Sequence, residues 1–505
     1  MSRTLRLALT LTGFLTLAAT VLWLAAGAFA AAQNRTREFS YLSEALDPVT
    51  QPASTVAWLP PDRPLHRPLS PGDEALIGRA LTEAWRAFAA VQDTGQTLLL
   101  AEHFSGPALQ RAETAAAQAQ ADGTRMIVLD QTARPVFQHL DGSIFQLSAS
   151  TTTLRYQLTG DRLSHYELTT DAVVTTLTNE TTGWRIFSHE RTGTQPIPQP
   201  DRKPLTLPRL NGVNYYPAQT PWSRFWPEFD ARVIAADLDL VTRLNGNSLR
   251  IFLPVADFTP DAAGAANLLK LKTFLDLAGS QNLSVIPTLF DLKHGFRPAY
   301  WAEDVAYLRR VLPVLAASPA VVLVDLKNEP DLDRATHGAD LIEAWLTTMI
   351  LMSREIAPDL PLTIGWAKAD AALDHAADLD AISYHDYAAA EGTANRLAQV
   401  RAGAGGKPVL VTEIGVSSYA LFLSFPGSPA RQAQELGERI AALAAADGVF
   451  VWTLHDFEAP EARAVGASPW VRNLQSRFGL FDAAGVGKPA AEAVSQAFAI
   501  PPEAK

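Results

Sequence analysis

The run Val321-Val322-Leu323-Val324-Asp325-Leu326, leading into Lys327-Asn328-Glu329-Pro330, sets how the second half of this chain is read. It begins as a nearly continuous apolar stretch, the appearance of a strand buried on both faces in a helix-covered parallel sheet. Asn328 and Glu329 then stand at the strand's C-terminal end.

The same rhythm continues in both directions. Short β-rich runs at 212–215, 248–253, 284–289, 321–326, 362–365, 381–384, 408–412 and 450–454 alternate with helical patterns. The latter lie near 229–244, 265–278, 302–315, 341–355, 371–377, 394–402, 429–445 and 489–498. Alternation at this spacing predicts parallel strands. Eight units over 209–505 predict an α/β fold, the (β/α)8 TIM barrel, whose usual length is about 250 residues before insertions. The rival, an open doubly wound sheet, would carry a Gly-rich phosphate loop after its first strand. Asn214-Tyr215-Tyr216-Pro217 stands there instead.

In such a barrel the chemistry sits at the C-terminal ends of the strands. Those ends hold Tyr215 and Tyr216, Arg250, Asp291 with His294, Asn328-Glu329-Pro330 and Trp366. His385-Asp386-Tyr387, Glu413, and Trp452 with His455 and Asp456 complete the ring. Strands four and seven face each other, so Glu329 and Glu413 can approach one bond from opposite sides. Glycosidic bond cleavage needs such a pair: one acid to protonate the leaving oxygen, one carboxylate to attack or stabilise the anomeric carbon. A gap of about 5–5.5 Å would retain the anomeric configuration, and about 6.5–9.5 Å would invert it.

These residues carry a resemblance. Asn328-Glu329-Pro330 after an apolar strand, Glu413 within Val409-Leu410-Val411-Thr412-Glu413-Ile414-Gly415, and a tryptophan at the eighth strand resemble clan A glycoside hydrolases. The pattern is most similar to family 5, the cellulase and β-mannanase family, over about 210–498. Arg250, His385-x-Tyr387, Gly479-Leu480-Phe481-Asp482 and Lys488-Pro489-Ala490 fit it too. The resemblance implies Glu329 as acid/base and Glu413 as nucleophile. It further implies that Arg250 keeps Glu413 anionic, Tyr387 orients it, Asn328 binds the 2-hydroxyl and His385 holds the acid/base or a hydroxyl. Trp452 would offer its face to the sugar, with Tyr215 and Trp366 as further substrate contacts. The family's usual histidine after strand three is missing from Pro287-Thr288-Leu289-Phe290-Asp291; His294 comes later. Trp222, Trp226 and Trp301 read first as helix packing and alternatively as outer sugar subsites. Asp237 and Asp239 read as a solvated helix face. No metal cluster or nucleotide loop is evident, so neither metal nor cofactor is expected.

The first half is organised differently. Arg3 and Arg6 precede an uncharged, mostly apolar run over 7–32 that ends in small residues. It is long enough to span a bilayer, for which about 20 residues suffice, and it also ends like a cleavable signal. Residues 1–32 are therefore expected to export the chain, which is either membrane-anchored facing outward or secreted. Residues 33–71, rich in proline, read as a tether. Within 72–195 two helical patterns, the first capped by Asp73, precede seven short period-two runs. That order resembles the nuclear-transport-factor-2-like cone, an α+β module expected to bind or to space, with an unidentified partner. His165 and His189 read as surface or pocket-mouth residues. A second Pro-rich stretch spans 196–208.

The chain has 505 residues, 48% of them hydrophobic, with 42 Lys and Arg against 53 Asp and Glu. A net charge of −11 argues against nucleic acid as partner, since phosphate contacts need a basic face. The absence of cysteine excludes disulfides and thiolate chemistry. The expected partner is a carbohydrate substrate. A glycan-binding protein without turnover and a transglycosylase remain the alternatives.

Overall fold

A computed structural model describes residues 56–159, 162–180, 183–197, 202–293, 295–422, 425–458 and 460–500. The export segment 1–32, tether residues 33–55, part of the second Pro-rich stretch and His294 lie outside the described residues. Among the described residues no helix is long and apolar enough to cross a membrane. Residues 52–505 form one compact unit.

The N-terminal module opens with β1 (Val56–Trp58), a short strand inside the expected tether that pairs in parallel with β2. Helix α1 (Pro71–Thr94) is capped by Ser70 rather than Asp73. The Ser70 Oγ accepts the Asp73 N–H at 3.1 Å, and Asp73 returns the bond by accepting the Ser70 N–H at 3.0 Å, a capping box. After α2 (Gly106–Asp122) come four long antiparallel strands. They are β2 (Thr124–Gln138), β3 (Ile144–Thr159), β4 (Arg162–Glu180) and β5 (Gly183–Pro196). The seven short runs merge because register shifts at Val128/Asp130 and Pro135/Phe137 bend β2 without ending its ladder.

The sheet's two faces do different things. Phe145, Leu147, Val173, Leu177 and Ile186 pack against α1 and α2. Ile127, Leu129, Leu154, Tyr156 and Leu163 belong instead to the hydrophobic core of the barrel. Module and barrel thus share one apolar seam.

The predicted barrel is present and closed. Strands β6 (Leu210–Asn214), β7 (Ser248–Pro254), β8 (Ser284–Asp291), β9 (Val324–Asn328), β10 (Leu362–Trp366), β11 (Ile382–His385), β12 (Val409–Ile414) and β13 (Gly448–Val451) form a parallel ring. It shuts where Val451 of β13 stands opposite Val213 of β6. Strands β9 and β12, expected to face each other, stand three places apart in the ring of eight, so the residues at their ends do not approach from diametrically opposite sides of the mouth. Around it lie α3 (Ala231–Arg243), α4 (Ala262–Ser280), α5 (Trp301–Ala316), α6 (Pro330–His337), α7 (Ala339–Ile356), α8 (Thr393–Gly403), α9 (Pro429–Ala442) and α10 (Pro489–Phe498). Leu210, Ile286, Leu323, Ala381, Leu410 and Phe450 form a separate buried cluster drawn from six strands or their flanks. Register shifts at Leu253/Pro254, Thr363/Gly365, Tyr384/His385 and Val411/Ile414 fall toward C-terminal strand ends, where bulges re-aim side chains.

Two helices depart from expectation. Helix α6 was not foreseen; it starts directly after Glu329 because Pro330 occupies its first turn, where a missing N–H costs nothing. The helix expected at 371–377 is only a 3-10 turn, Ala369–Ala371, followed by turns. There Asp374 pairs with Arg334 at 2.7 Å and His375, at φ +57°, meets Glu343 at 2.8 Å. Side-chain pairing has displaced the helical repeat.

Candidate active site

The mouth of the barrel is built on Arg250, in the middle of β7, which points inward and has no solvent exposure. A buried guanidinium is tolerated only when its donors are matched. Asp325 Oδ2 accepts from Nε at 3.0 Å and from Nη2 at 2.7 Å. Glu413 Oε1 accepts from Nη1 at 2.6 Å, Asn214 Oδ1 from Nη1 at 2.9 Å, and Asn328 Oδ1 from Nη2 at 2.8 Å. Burial works against the charge of Arg250, but the two carboxylates more than offset it and hold the group protonated.

Asp325 and Asn214, which the motif pattern alone does not single out, thus join the candidate site. The signal for Asp325 was present: a charge within Val324-Asp325-Leu326 must find a buried partner. Thr288 Oγ1 donates to it at 3.1 Å and the Gly365 N–H at 2.8 Å. Gly365 is required here, since a Cβ would lie 2.7 Å from Asp325 Oδ2 and 3.0 Å from Arg250 Nη2.

Glu413, next to last in β12, has one oxygen on Arg250 and the other accepting the Tyr387 O–H at 2.8 Å. The Tyr387 ring is exposed but its hydroxyl end is buried against Glu413; that burial first, then the Glu413 charge, pushes the phenol well above its usual range, so it stays a donor. The β11–β12 register sets His385 directly opposite Glu413. His385 Nδ1 lies 2.8 Å from Glu329 Oε1 and 3.7 Å from Glu413 Oε2. One oxygen from each glutamate and a ring nitrogen of His385 all fall within 4.8 Å of one another. Such a trio could hold a cation, but Arg250 already supplies the positive charge against Glu413.

Glu329 closes the constellation from β9. Its backbone is left-handed, at φ +51°, which a residue with a Cβ adopts only when its surroundings impose it. The Glu329 N–H donates to Gly365 O at 2.7 Å and anchors that turn. Burial pushes the Glu329 carboxyl up, while the His385 hydrogen bond and the charges of His385, Arg250 and Lys327 pull it down and prevail. The Glu329 side chain is still 27% exposed. A ligand covering it would strengthen the raising influence. Asn328 has its oxygen committed to Arg250, which leaves its amide N–H groups for a ligand. Trp452 is partly exposed beside Phe252, edge to face at 5.8 Å.

Arg250, Asn328, Glu329, His385, Tyr387, Glu413 and Trp452 therefore converge. Tyr215 and Trp366 do not. Strand alternation explains both, because Asn214 and Gly365 already point inward and their successors must point out. Tyr215 is fully buried and donates to Asp237 of α3 at 2.8 Å; His455 Nε2 meets the other Asp237 oxygen at 2.8 Å. Asp237 is accordingly a buried acceptor and not part of a solvated face. Trp366 is fully buried beneath the Arg334 guanidinium, 4.8 Å from its ring centroid. Tyr216 donates to the buried Asp291 at 3.0 Å. Trp222, Trp226 and Trp301 are buried packing residues. Asp456 holds the Gly479 N–H and Lys488 at 2.8 and 2.9 Å, fastening the segment after β13.

No protein-family model matches this sequence, and neither does any curated protein. Solved structures do resemble it. An exo-β-1,4-mannosidase from Opitutaceae bacterium strain TAV5 aligns with TM-score 0.49 and 22% identity, over 58% of this chain and 59% of that one. The match thus spans less than two thirds of the mannosidase. A GH5_18 protein from Streptomyces cattleya in complex with GlcNAc aligns with TM-score 0.46 and 22% identity, over 58% and 79% of the two chains. A GH2 β-galacturonidase from Eisenbergiella tayi bound to galacturonate aligns with TM-score 0.47 and 16% identity, over 74% and 72%. These likenesses lend no support to the nuclear-transport-factor-2-like resemblance of 72–195. At such identities, what the chain does rests on the groups at its own barrel mouth.

Proposed function

We propose that this chain is a retaining glycoside hydrolase acting on β-linked poly- or oligosaccharides of β-glucan or β-mannan type. The observation that carries the reading is the closeness of Glu329 and Glu413, oxygen to oxygen within 4.8 Å. Retaining enzymes hold their two carboxyl groups about 5–5.5 Å apart, a spacing with which so close an oxygen pair is compatible.

Glu413 attacks the anomeric carbon while the bond to the leaving oxygen breaks and the proton of Glu329 passes to that oxygen. Water then adds to the anomeric carbon, gives its proton to Glu329 and releases Glu413. Arg250 and Tyr387 each hold one oxygen of Glu413 and keep it aimed. Asn328 offers N–H donors to a sugar hydroxyl, and Trp452 an apolar face. Glu329 takes up its proton as the sugar seals it from water, since covering a carboxyl favours the neutral form. The apolar segment 7–32 supports export of the chain, anchored or secreted.

The test is turnover of Glu329→Gln and Glu413→Gln on 4-nitrophenyl β-glycosides, β-glucans and β-mannans. Both variants should lose at least about 100-fold in kcat on polysaccharide. Proton NMR of the first product should show the configuration of the substrate. A variant with parental turnover, or an inverted first product, overturns the reading. Products longer than the substrate would mark a transglycosylase, and glycan binding without turnover a silent binding protein.

A further inference from the structure

Next to Glu413 the rim carries aromatic groups beyond Tyr387 that the reaction does not use. The chain leaving β12, Gly415 to Tyr419, is fastened to the segment that follows β13. Ser417 Oγ donates to Leu474 O at 2.8 Å, and Ser418 donates to Arg477 O through its N–H at 2.9 Å and its hydroxyl at 3.0 Å. From α9, Gln432 Nε2 donates to Val416 O at 2.9 Å and to Phe478 O at 3.1 Å. Two loops are thereby held as one rigid edge.

Aromatic rings follow this edge outward. Tyr387, whose hydroxyl is on Glu413, is 43% exposed and meets Phe478 edge to face at 6.4 Å. Gly415 lies so close beneath them that a Cβ would sit 2.9 Å from Phe478 and 3.0 Å from Tyr387. Further along, Tyr419 meets Trp470 at 5.9 Å, edge to face, with an interplanar angle of 86°. Trp470, on the short helix Pro469–Gln475, keeps 39% of its surface in solvent. Asn473 Nδ2 donates to the Tyr419 hydroxyl at 3.4 Å, so a polar amide and a phenol flank the ring.

A tryptophan left this exposed, braced edge-on by a second ring and flanked by donors, matches the two-sided surface of a pyranose, with C–H groups on its faces and hydroxyls around its edge. We propose that Tyr419 and Trp470 form an outer sugar-binding platform on the Glu413 side of the cleft, taking a further unit of the β-linked chain beyond the one attacked. The platform rests on the glycosidase reading for its ligand class. It makes the enzyme one that acts on a chain rather than on a single terminal sugar.

The experiment compares Trp470→Ala, Tyr419→Ala and Trp470→Phe with the parent on long and short substrates. The long ones are cellotetraose and mannotetraose, and the short ones the 4-nitrophenyl β-glucoside and β-mannoside. Trp470→Ala should lower kcat/KM on the preferred tetrasaccharide about 10-fold, mainly through KM, while leaving the short substrate unchanged. Trp470→Phe should retain most of it. Calorimetric titration of the parent and Trp470→Ala with each tetrasaccharide gives a readout that needs no turnover. Binding weakened in Trp470→Ala while the parent cleaves none of the four substrates would sink the glycosidase reading and keep the platform. Equal loss on long and short substrates, or unchanged tetrasaccharide binding, would sink the platform and leave the reaction standing.

Discussion

Of the described arginines that face two carboxylates, Arg250 and Arg309 make the sharpest contrast, because only the first grouping looks like machinery. At the barrel mouth Arg250, with no exposure, meets Asp325 and Glu413. At the seam between module and barrel Arg309 of α5 meets Asp130 of β2 and Glu355 of α7. The seam group ends in itself. Burial pushes the Asp130 carboxyl up, and Arg309 only partly offsets this. At the mouth, Glu413 keeps a second oxygen for Tyr387 and stands beside Glu329, whose carboxyl is pulled down by His385 and still partly faces solvent. A buried ion triad is thus weak evidence of function in itself. What marks a site is bonding capacity left over and aimed at a common space.

That contrast can be broken by substitution. Arg250→Met strands two buried carboxylates, so we expect a stability loss of about 3–5 kcal/mol and loss of turnover. Thermal unfolding and kcat measured together check this; retained kcat would put the machinery elsewhere. Tyr387→Phe removes one hydrogen bond to Glu413 and should lower kcat by about 10–100-fold with little change in unfolding.

Arg309→Met should do the reverse, leaving kcat intact and costing about 1–3 kcal/mol, discounted because the Arg309 side chain is 28% exposed. The loss should grow with pH. A carboxyl whose folded value is raised, as at Asp130, contributes stability that is complete below its unfolded value and is lost as pH rises through the folded one. Unfolding scans from about pH 5 to pH 8 test the sign, and a loss that shrinks toward alkaline pH would contradict it.

The smallest effect concerns Glu329. Its lowered value in the open site should rise once a sugar covers it. The alkaline limb of kcat, set by the bound enzyme, should therefore lie at higher pH than that of kcat/KM, set by the free enzyme. Coincident limbs would mean that substrate leaves the Glu329 environment unchanged.

Much of this was legible beforehand because period and strand position carry it. The eight strands overlap the apolar runs, and seven of the residues singled out on or after them gather at one mouth. Tyr215 and Trp366 sit at strand ends yet lie outside the site, because the pleat sends Asn214 and Gly365 inward and their neighbours outward. Asp237 misled for a related reason: its charge suggested water, yet Tyr215 and His455 bury it.

The amino-acid order alone determined the alternation of strands and helices, and with it the barrel and the end at which chemistry gathers, because apolar period and chain connectivity are local properties. It also supplied the two glutamates, the arginine and the tyrosine as a set. Only the tertiary structure decided that Arg250 ties Asp325 to Glu413, that Glu329 and Glu413 come within one contact of His385, and that Tyr419 and Trp470 share a rim. Those outcomes depend on register shifts at strand ends and on the close approach permitted by Gly365. A shift of one residue turns a side chain to the opposite face, and a composition or a spacing cannot record which way it turned.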